Sequence, residues 1–456
     1  MNAVQMTTLA NLAGRLDAVL VGVDAPFDRV VTDSRALQPR DLFVALVGER
    51  FDGHTFVAQA HAAGAAGALV ARQVAEAGSQ VVAADTLVGL QRFAASWRNG
   101  FDLPLVGVTG SAGKTTTRQM VAAVLAELGP VLATQGNLNN HIGVPLTLCR
   151  LRGEHRAAVI EMGANHAGEI ALLASLARPD IGIVTLAGDA HLEGFGSRQG
   201  VAHAKGEMFT ALNRHGTAII NFDDAYASLW RDLAGDATIL GFGLDNPADA
   251  SARDIVLGDQ ESRFTLVVEG HGKADVHLHL PGRHNVRNAL AAAAAGVAAK
   301  LPVARIAARL GEVRPVNGRG VWNIGYAGAR VLDDSYNANP TSMRAGVQVL
   351  MQRPGKHVAV LGDMGELGAN AEVLHEQLGR DARSAGVDVL YAAGSLSRAT
   401  VRGFGPQGCH FETLEELVEA LKPALDGETS VLVKGSHSAH MERVVQALQV
   451  ANGGHD

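Results

Sequence analysis

The sequence has very few cysteines. Only Cys149 and Cys409 occur among its 456 residues. Two cysteines cannot build a disulfide framework, nor a cysteine-based metal site on their own. We therefore expect both to be reduced thiols in a cytosolic protein.

The sequence also lacks an excess of positive charge and any long apolar run. Its formal net charge is -7, without a run of lysine or arginine, which argues against general affinity for nucleic acid. The longest uncharged apolar run, 289–299, is too short to span a bilayer, and its alanines predict a packed helix. The N-terminal segment lacks the features of a signal peptide. We expect a cytoplasmic protein with no nucleic-acid partner and no membrane insertion.

What recurs along the chain is a short apolar strand, a polar or glycine-rich turn and an amphipathic helix. Such units build an α/β fold around parallel sheets, whose ligands lie beyond the carboxyl ends of the strands. Strands are predicted in two series, the first within 105–110, 157–163, 181–188 and 217–224, the second within 330–340, 357–368, 387–395 and 429–438.

The pattern predicts three domains. Residues 1–103 mix short strands and turns and are interpreted as a small N-terminal α/β domain. Residues 104–315 form a central parallel-sheet domain, and residues 316–456 a Rossmann-like domain. The segment 311–320, with one proline and three glycines, is the predicted hinge.

A glycine-rich turn follows the strand at 105–110. It reads Gly110-Ser111-Ala112-Gly113-Lys114-Thr115-Thr116, and it misses the strict GxxxxGK[ST] pattern because Val108 replaces the first glycine. Glycines let backbone N–H groups turn toward phosphate oxygens, and a helix N-terminus favours their negative charge. Lys114 can reach the β- and γ-phosphates of ATP, and the Thr115 hydroxyl can bind Mg²⁺. A purely structural turn is disfavoured by the strand before it and the helix after it.

Other polar residues near strand ends are more ambiguous. Glu161 is a reasonable Mg²⁺ ligand because this ion prefers hard oxygens. His191, considered alone, is more typical of a hydrogen-bonding loop residue than of a Mg²⁺ ligand. Lys205, considered alone, is typical of a solvated lysine on a helix. Asn339 is a plausible helix N-cap with Pro340 in the first turn. These features predict an enzyme or a switch that binds ATP and Mg²⁺, and they do not choose the acceptor.

The chain carries the motifs TDSR (32–35), FDGHTF (51–56), TGSAGKTT (109–116), GNLNNHIGVPLT (136–147), EMGANHAGEI (161–170), HLEGFGS (191–197), AKGEMF (204–209), GRHNVRNALAA (282–292), DDSYNANPTSM (333–343), GDMGELG (362–368) and VKGSHSAHME (433–442). With these motifs it resembles the Mur ligase family, ATP-dependent amide-forming enzymes of peptidoglycan precursor synthesis. The family's own phosphate loop is GxxGK[ST], so the missing first glycine is expected. Within the family, the resemblance is greatest to members that add D-alanyl-D-alanine to UDP-N-acetylmuramoyl-tripeptide.

The resemblance implies roles for individual residues. Ser34 and Arg35 would hold the UDP part of the substrate, and the GNLNNH loop would face that substrate through Asn139, Asn140 and His141. It assigns catalytic roles to Lys114, His191 and Lys205, and Mg²⁺ binding, with two ions, to Thr115, Glu161 and His191. Nucleotide contacts would include Asn288, Arg319 and Asp334, while Tyr336 and Asn337 would contact substrate as the C-terminal domain is brought in.

The family also implies that Lys205 is carbamylated by CO₂, which requires a neutral amine and hence a lysine pKa lowered by burial or nearby cations. The implied reaction passes through an acyl phosphate that the amine of D-Ala-D-Ala attacks. We expect a monomer. The sequence leaves open whether the third peptide residue is lysine or meso-diaminopimelate.

Two groups of alternatives remain. A diamino-acid-adding Mur ligase would carry a DNPR motif in its C-terminal domain, whereas the only similar string here is DNPA at 245–248. Folylpolyglutamate synthetases resemble the same ATP core but lack the uridine-binding domain. From a different class, a P-loop ATPase switch would hydrolyse ATP without a peptide substrate.

Overall fold

The computed structural model describes residues 5–212 and 215–449. The chain is a mixed α/β protein with parallel sheets, which confirms the predicted fold class. It divides into two compact units, one of residues up to 107 with 128–163 and 169–180, the other of 108–127 with 164–168 and residues from 181 onward. The outermost parts of the first and last predicted domains, 1–4 and 450–456, lie outside the described residues.

The N-terminal region contains a five-stranded sheet in the order β2-β9-β8-β5-β4. Its strands are parallel except β2, which is antiparallel to β9. Apolar side chains such as Phe43 and Val70 form its core with Val57 of α2. The elements are β1 (Thr7–Thr8), α1 (Leu9–Leu16), β2 (Val19–Val21), β3 (Pro26–Phe27), β4 (Arg29–Val31), β5 (Asp41–Val44), β6 (Val47–Gly48), β7 (Phe51–Asp52), α2 (Val57–Ala62), β8 (Gly67–Val70), β9 (Gln80–Val82) and α3 (Thr86–Arg98).

The middle region contains a nine-stranded sheet in the order β11-β12-β10-β13-β14-β15-β16-β17-β18. β13, β14 and β15 pair in parallel, whereas β16, β17 and β18 form an antiparallel meander. The elements are β10 (Leu105–Thr109), α4 (Lys114–Leu125), β11 (Val131–Ala133), α5 (Gly143–Leu148), β12 (Ala157–Glu161), α6 (Glu169–Ala177), β13 (Ile181–Val184), α7 (Leu192–Phe195), α8 (Arg198–Thr210), β14 (Thr217–Asn221), α9 (Ala227–Ala234), β15 (Thr238–Phe242), β16 (Ala250–Leu257), β17 (Ser262–Val268), β18 (Gly272–Leu278), α10 (Arg283–Ala298) and α11 (Val303–Gly311).

The alanine-rich run lies in α10 and is packed, as predicted. Every residue from 289 to 295 is buried. Small side chains let a helix approach its neighbours closely on all sides, which explains a helix that is apolar around its circumference. Among residues 5–212 and 215–449, none of the helices has the length and apolar character needed to cross a bilayer.

The C-terminal region contains a six-stranded sheet in the order β19-β20-β24-β21-β22-β23, parallel except for β19. Strand residues alternate between two cores: Ala359 and Leu361 face one, and Val358 and Val360 the other. The elements are β19 (Val321–Ile324), β20 (Arg330–Asp333), α12 (Pro340–Leu350), β21 (Lys356–Gly362), α13 (Ala371–Ala385), β22 (Val389–Ala393), α14 (Ser397–Phe404), β23 (Gly408–Phe411), α15 (Leu414–Leu421), β24 (Thr429–Lys434) and α16 (Glu442–Leu448).

Candidate active site

The glycine-rich turn is fastened to the segment that follows β13. The Ser111 amide donates to the Leu186 carbonyl at 2.9 Å. The Ser111 hydroxyl accepts from the Gly188 amide, also at 2.9 Å, and the Thr185 hydroxyl donates to the Ala112 carbonyl at 2.6 Å. Hydrogen bonds from both backbone and side-chain groups therefore fix the conformation of the turn.

Two glycines of the turn adopt backbone angles that favour glycine. Gly110 has φ +139° and Gly113 φ +79°. A Cβ on Gly110 would collide with the Thr185 hydroxyl, and one on Gly113 would lie 2.6 Å from Oδ1 of Asn288. Both conformation and space therefore require glycine at these positions.

Helix α4 begins directly after the turn, with Gly113 as its N-cap residue. Glycine offers no side chain to the first-turn N–H groups, and these groups with the helix dipole favour an anion. Lys114 Nζ donates to the Gly110 carbonyl at 2.7 Å, which curls this side chain back over the turn. Thr115 is buried and Thr116 half-buried. A glycine turn, a helix N-terminus directly after it and a lysine folded over the turn are together suited to hold phosphate groups.

Two asparagines contact this loop from elsewhere in the chain. Asn288 of α10 lies beside Gly113, and its amide donates to Asn285 Oδ1 at 3.2 Å. Asn339 caps α12 by accepting from the Ser342 amide at 2.8 Å, which confirms the predicted N-cap, and its Nδ2 donates to the Ser111 carbonyl at 3.1 Å. A residue predicted only as a helix cap thus also contacts the glycine-rich turn.

The polar turn after β20 is organised by a buried lysine. Lys434 Nζ lies 2.6 Å from Oδ2 of Asp334 and donates to the Asn337 carbonyl at 2.9 Å. Burial raises the pKa of the Asp334 carboxyl, and the attraction of Lys434 opposes that shift. The Arg319 guanidinium lies 4.1 Å from the ring centroid of Tyr336. Four predicted site residues therefore lie in or against this turn.

His191 stands just before α7 with a left-handed backbone, φ +53°. Its Nδ1 pairs with a carboxylate oxygen of Glu366, which follows β21, and this contact holds the pKa of Glu366 below its usual range. Nε2 is then the ring nitrogen left for a metal. Metal-binding histidines usually bond their other nitrogen to such a partner, so the contact fits His191 as a ligand.

Lys205 is fully buried on α8, against the prediction for a helix lysine considered alone. Nζ donates to the Ala164 carbonyl at 3.0 Å and lies 4.9 Å from the ring centroid of Phe195. Burying an ammonium group is costly, so a lysine in this position indicates a specific function.

Glu161 is the last residue of β12 and is 2% exposed. Its Oε1 accepts from Asn139 Nδ2 at 3.0 Å, and its amide donates to the Thr134 hydroxyl at 2.9 Å. A carboxylate fixed at a strand end has the hard oxygens that Mg²⁺ prefers. The structure therefore brings together two of the predicted site residues, Glu161 and Asn139.

The next two residues of the GNLNNH loop have structural contacts. Asn140 Oδ1 accepts from the Gly143 amide at 2.9 Å at the start of α5. The His141 carbonyl accepts from Gln91 Nε2 at 3.0 Å. These bonds fix the loop backbone that carries both predicted substrate residues.

Ser34 and Arg35 lie in a short 3₁₀ turn capped by Asp33. Arg35 pairs with Asp33 at 2.8 Å while its side chain stays 87% exposed. The hydrogen bonds from Arg35 lower the pKa of Asp33 to about 2. The Asp33 carboxylate orients the Arg35 guanidinium, whose remaining exposed N–H groups can donate to a phosphate.

Family models match each of the three regions of the chain. Residues 26–92 match the model described as Mur ligase family, catalytic domain. Residues 108–296 match the Mur ligase middle domain, and residues 319–437 the Mur ligase glutamate ligase domain. The UDP-N-acetylmuramoyl-tripeptide--D-alanyl-D-alanine ligase of Escherichia coli (strain K12) is 45% identical over 446 residues, which cover 97% of this chain and 98% of that protein.

The chain belongs to the Mur ligase family. As a Mur ligase it is an ATP-dependent enzyme that forms carbon–nitrogen bonds. A crystal structure of MurF from Acinetobacter baumannii superimposes on this Mur ligase with a TM-score of 0.92 at 37% identity, covering 96% of this chain and 98% of that one. MurF from Thermotoga maritima in complex with ADP gives 0.82 at 27% identity, covering 92% and 96%.

Sequence reasoning missed some members of this Mur ligase site. Glu366 and Lys434 received no role, although both lie inside motifs quoted for the family, GDMGELG and VKGSHSAHME. Their partners, His191 and Asp334, were predicted. The available signal was that each is a charged residue in the carboxyl-terminal part of a predicted strand-and-turn segment, 357–368 or 429–438, where a parallel sheet places its ligands.

Proposed function

We propose that this Mur ligase joins D-alanyl-D-alanine to UDP-N-acetylmuramoyl-tripeptide, with ATP as the energy source, and forms the UDP-linked pentapeptide of peptidoglycan synthesis. The observation that carries this proposal is the similarity along nearly the whole chain to relatives of that name. The reaction takes place in the cytoplasm, where ATP and nucleotide-linked precursors are available.

The chemistry requires activation of a carboxylate. At neutral pH a carboxylate has no leaving group that an amine can displace. Transfer of the γ-phosphoryl group of ATP to the tripeptide carboxylate gives an acyl phosphate and ADP. The free amine of D-Ala-D-Ala attacks the acyl carbon, and the tetrahedral intermediate expels phosphate as the amide forms.

The protein contributes alignment and positive charge. The backbone of Gly110 to Gly113 and the N-terminus of α4 hold the phosphates, with Asn288 beside them. Lys114 exchanges its hydrogen bond to the Gly110 carbonyl for one to the γ-phosphoryl group and stabilises the negative charge of that group during transfer. Asn339 brings α12 against the loop, and closure of the C-terminal region excludes water that would hydrolyse the acyl phosphate.

Thr115, Glu161 and His191 are the residues that would hold Mg²⁺. The hydroxyl and the carboxylate fit this hard cation, and the contact of His191 Nδ1 with Glu366 leaves Nε2 for a metal. Bound Mg²⁺, two ions in this proposal, supplies charge neutralisation of the phosphates.

We extend the proposal to a carbamate on Lys205. The neutral Nζ attacks CO₂, a C–N bond forms, and one proton leaves to solvent. The anion then helps to place a second Mg²⁺. The burial of Nζ and its bond to the Ala164 carbonyl support a side chain held in one position.

We also propose the division of labour among three domains, 1–103, 104–315 and 316–456. Ser34 and Arg35 of the first hold the UDP group, and the loop residues Asn139, Asn140 and His141 face the substrate. Nucleotide contacts from Arg319 and Asp334, and substrate contacts from Tyr336 and Asn337, come from the third. Each matched family model falls inside one of these three ranges.

The assay is ATP turnover with each substrate omitted in turn. We expect ADP, phosphate and UDP-pentapeptide only when UDP-tripeptide and D-Ala-D-Ala are both present. Full turnover on UDP-dipeptide plus a diamino acid, with no use of D-Ala-D-Ala, would overturn the assignment. ATP hydrolysis independent of both substrates would favour the ATPase switch.

The carbamate has its own test. ¹³C-bicarbonate should give a carbamate carbonyl NMR signal in the wild type and in Lys273→Ala, a matched control on an exposed strand position. Lys205→Ala should lose that signal and most activity. Full activity of Lys205→Ala together with insensitivity to bicarbonate would refute this role.

A further inference from the structure

Three metal-ligating side chains gather on the antiparallel meander, away from the phosphate loop in sequence. In the β17–β18 pair, Arg263 lies opposite His277 and Ser262 opposite Leu278. Continuing this register places Glu261 opposite His279. Because side chains alternate along a strand, His277 and His279 share a face with Glu261.

The ligand atoms of these three residues already converge. One atom each from Glu261, His277 and His279 lies within 4.8 Å of the other two. His277 Nε2 is 2.5 Å from Glu261 Oε2, and the two imidazole centroids are 4.4 Å apart. Tetrahedral Zn²⁺ ligands, bonded at about 2.0–2.1 Å, stand about 3.3 Å from each other, so small side-chain rotations suffice.

The surroundings leave one carboxylate oxygen for a cation. Arg263 lies 2.8 Å from Oε1 of Glu261, whereas Oε2 faces His277. The side chains of Glu261 and His277 are 33% and 45% exposed, which provides an entry path. Arg263 can thus stay bonded to Oε1 while Oε2 binds a metal.

We propose that Glu261, His277 and His279 form a divalent metal site of the zinc class. The two imidazoles are borderline donors, and together with one carboxylate they suit Zn²⁺ better than Mg²⁺. Three protein ligands leave a fourth position for water. The site is independent of the proposed ligase reaction and cross-links both strands of the hairpin.

The test is Zn²⁺ binding by the full chain, by calorimetry and by competition with a chromophoric chelator. Excess Mg²⁺ and ADP are present to occupy the nucleotide site. Wild type should bind one tight equivalent that raises its melting temperature. The double variant His277→Ala/His279→Ala should bind that equivalent at least tenfold more weakly. His271→Ala, at an exposed histidine of the same hairpin, is the matched control and should bind like the wild type.

Each outcome decides the proposal. Binding within twofold of wild type in the double variant would overturn it, as would a tight equivalent that His271→Ala also loses. If the double variant does not fold, Glu261→Gln is measured in the same way, and unchanged affinity there would equally overturn it.

Discussion

Replacing Lys434 by methionine tests how the turn after β20 is held. Lys434 is the last residue of β24, and its side chain is 3% exposed. It pairs with Asp334 at 2.6 Å and donates to the Asn337 carbonyl at 2.9 Å. Methionine keeps most of the volume and removes the charge and all three N–H donors.

The expected cost follows from what remains in the site. Asp334 would keep a largely desolvated carboxylate, 22% exposed, without its cation. Removing one partner of a buried pair costs about 3–5 kcal/mol, and we expect about 3 kcal/mol because some water reaches Asp334. Adding Asp334→Asn should recover part of this loss, since the uncompensated charge is then gone.

Urea unfolding followed by tryptophan fluorescence measures this cost. The protein has three tryptophans, so Trp97→Phe/Trp230→Phe leaves Trp322 of β19 as the reporter of the C-terminal sheet. Lys422→Met is the control, because this half-buried lysine lies 5.6 Å from the Tyr326 ring and its loss should cost at most about 1 kcal/mol. A Lys434 variant that loses no more stability than this control would refute the cost assigned to the Lys434–Asp334 pair.

Three further predictions concern the loop, the pH dependence and the thiols. Gly113→Ala should weaken binding of a fluorescent ATP analogue about tenfold, because alanine is strained at the Gly113 φ of +79°. Gly153→Ala, a control with open space around it, should bind the analogue like the wild type. Equal affinities of the two variants would contradict a strained turn at Gly113. Burial, followed by nearby lysine and arginine, lowers the pKa of His284 from 6.5 to about 4, so its contribution to stability is complete above pH 6.5 and is lost as the pH falls through 4. His284→Gln should therefore flatten the unfolding free energy between pH 7 and 4, and an unchanged slope would argue against it. Burial raises the pKa of Cys149 to about 12, whereas Cys409 is exposed. Mass spectrometry after iodoacetamide treatment should therefore find one adduct on the native protein and two on the unfolded protein. Rapid labelling of Cys149 in the native protein would refute its burial.

The parallel parts of the fold were predictable because their signal is local. Apolar runs such as 157–163 and 357–368 became β12 and β21, and polar residues followed each strand as expected. The phosphate loop was equally local, since its glycines, lysine and following helix lie within a few residues. Glu161 could be nominated for the same reason.

Other features depend on contacts between distant residues. Asn339 and Ser111 are 228 positions apart, and neither predicts the other from periodicity. The β16–β18 meander was missed because it interrupts the strand–turn–helix order and its pairing is set by register. His191 illustrates both limits. Considered alone it was more typical of a loop residue, only the family resemblance implied a metal ligand, and its contact with the carboxylate of the distant Glu366 was not predicted.

The two hydrogen bonds of the Asn339 side chain link nucleotide binding to the position of α12. The same amide group caps α12 through Oδ1 and holds the phosphate loop through Nδ2. A nucleotide that prefers the loop conformation carrying this bond must stabilise the docked helix, and docking must raise nucleotide affinity by the same factor. Asn339→Asp keeps the capping oxygen and deletes the donor, so it should weaken the coupling between the two equilibria and leave the helix intact. A single N–H group would then carry a measurable share of the coupling between ATP and the C-terminal region, alongside the His191–Glu366 contact.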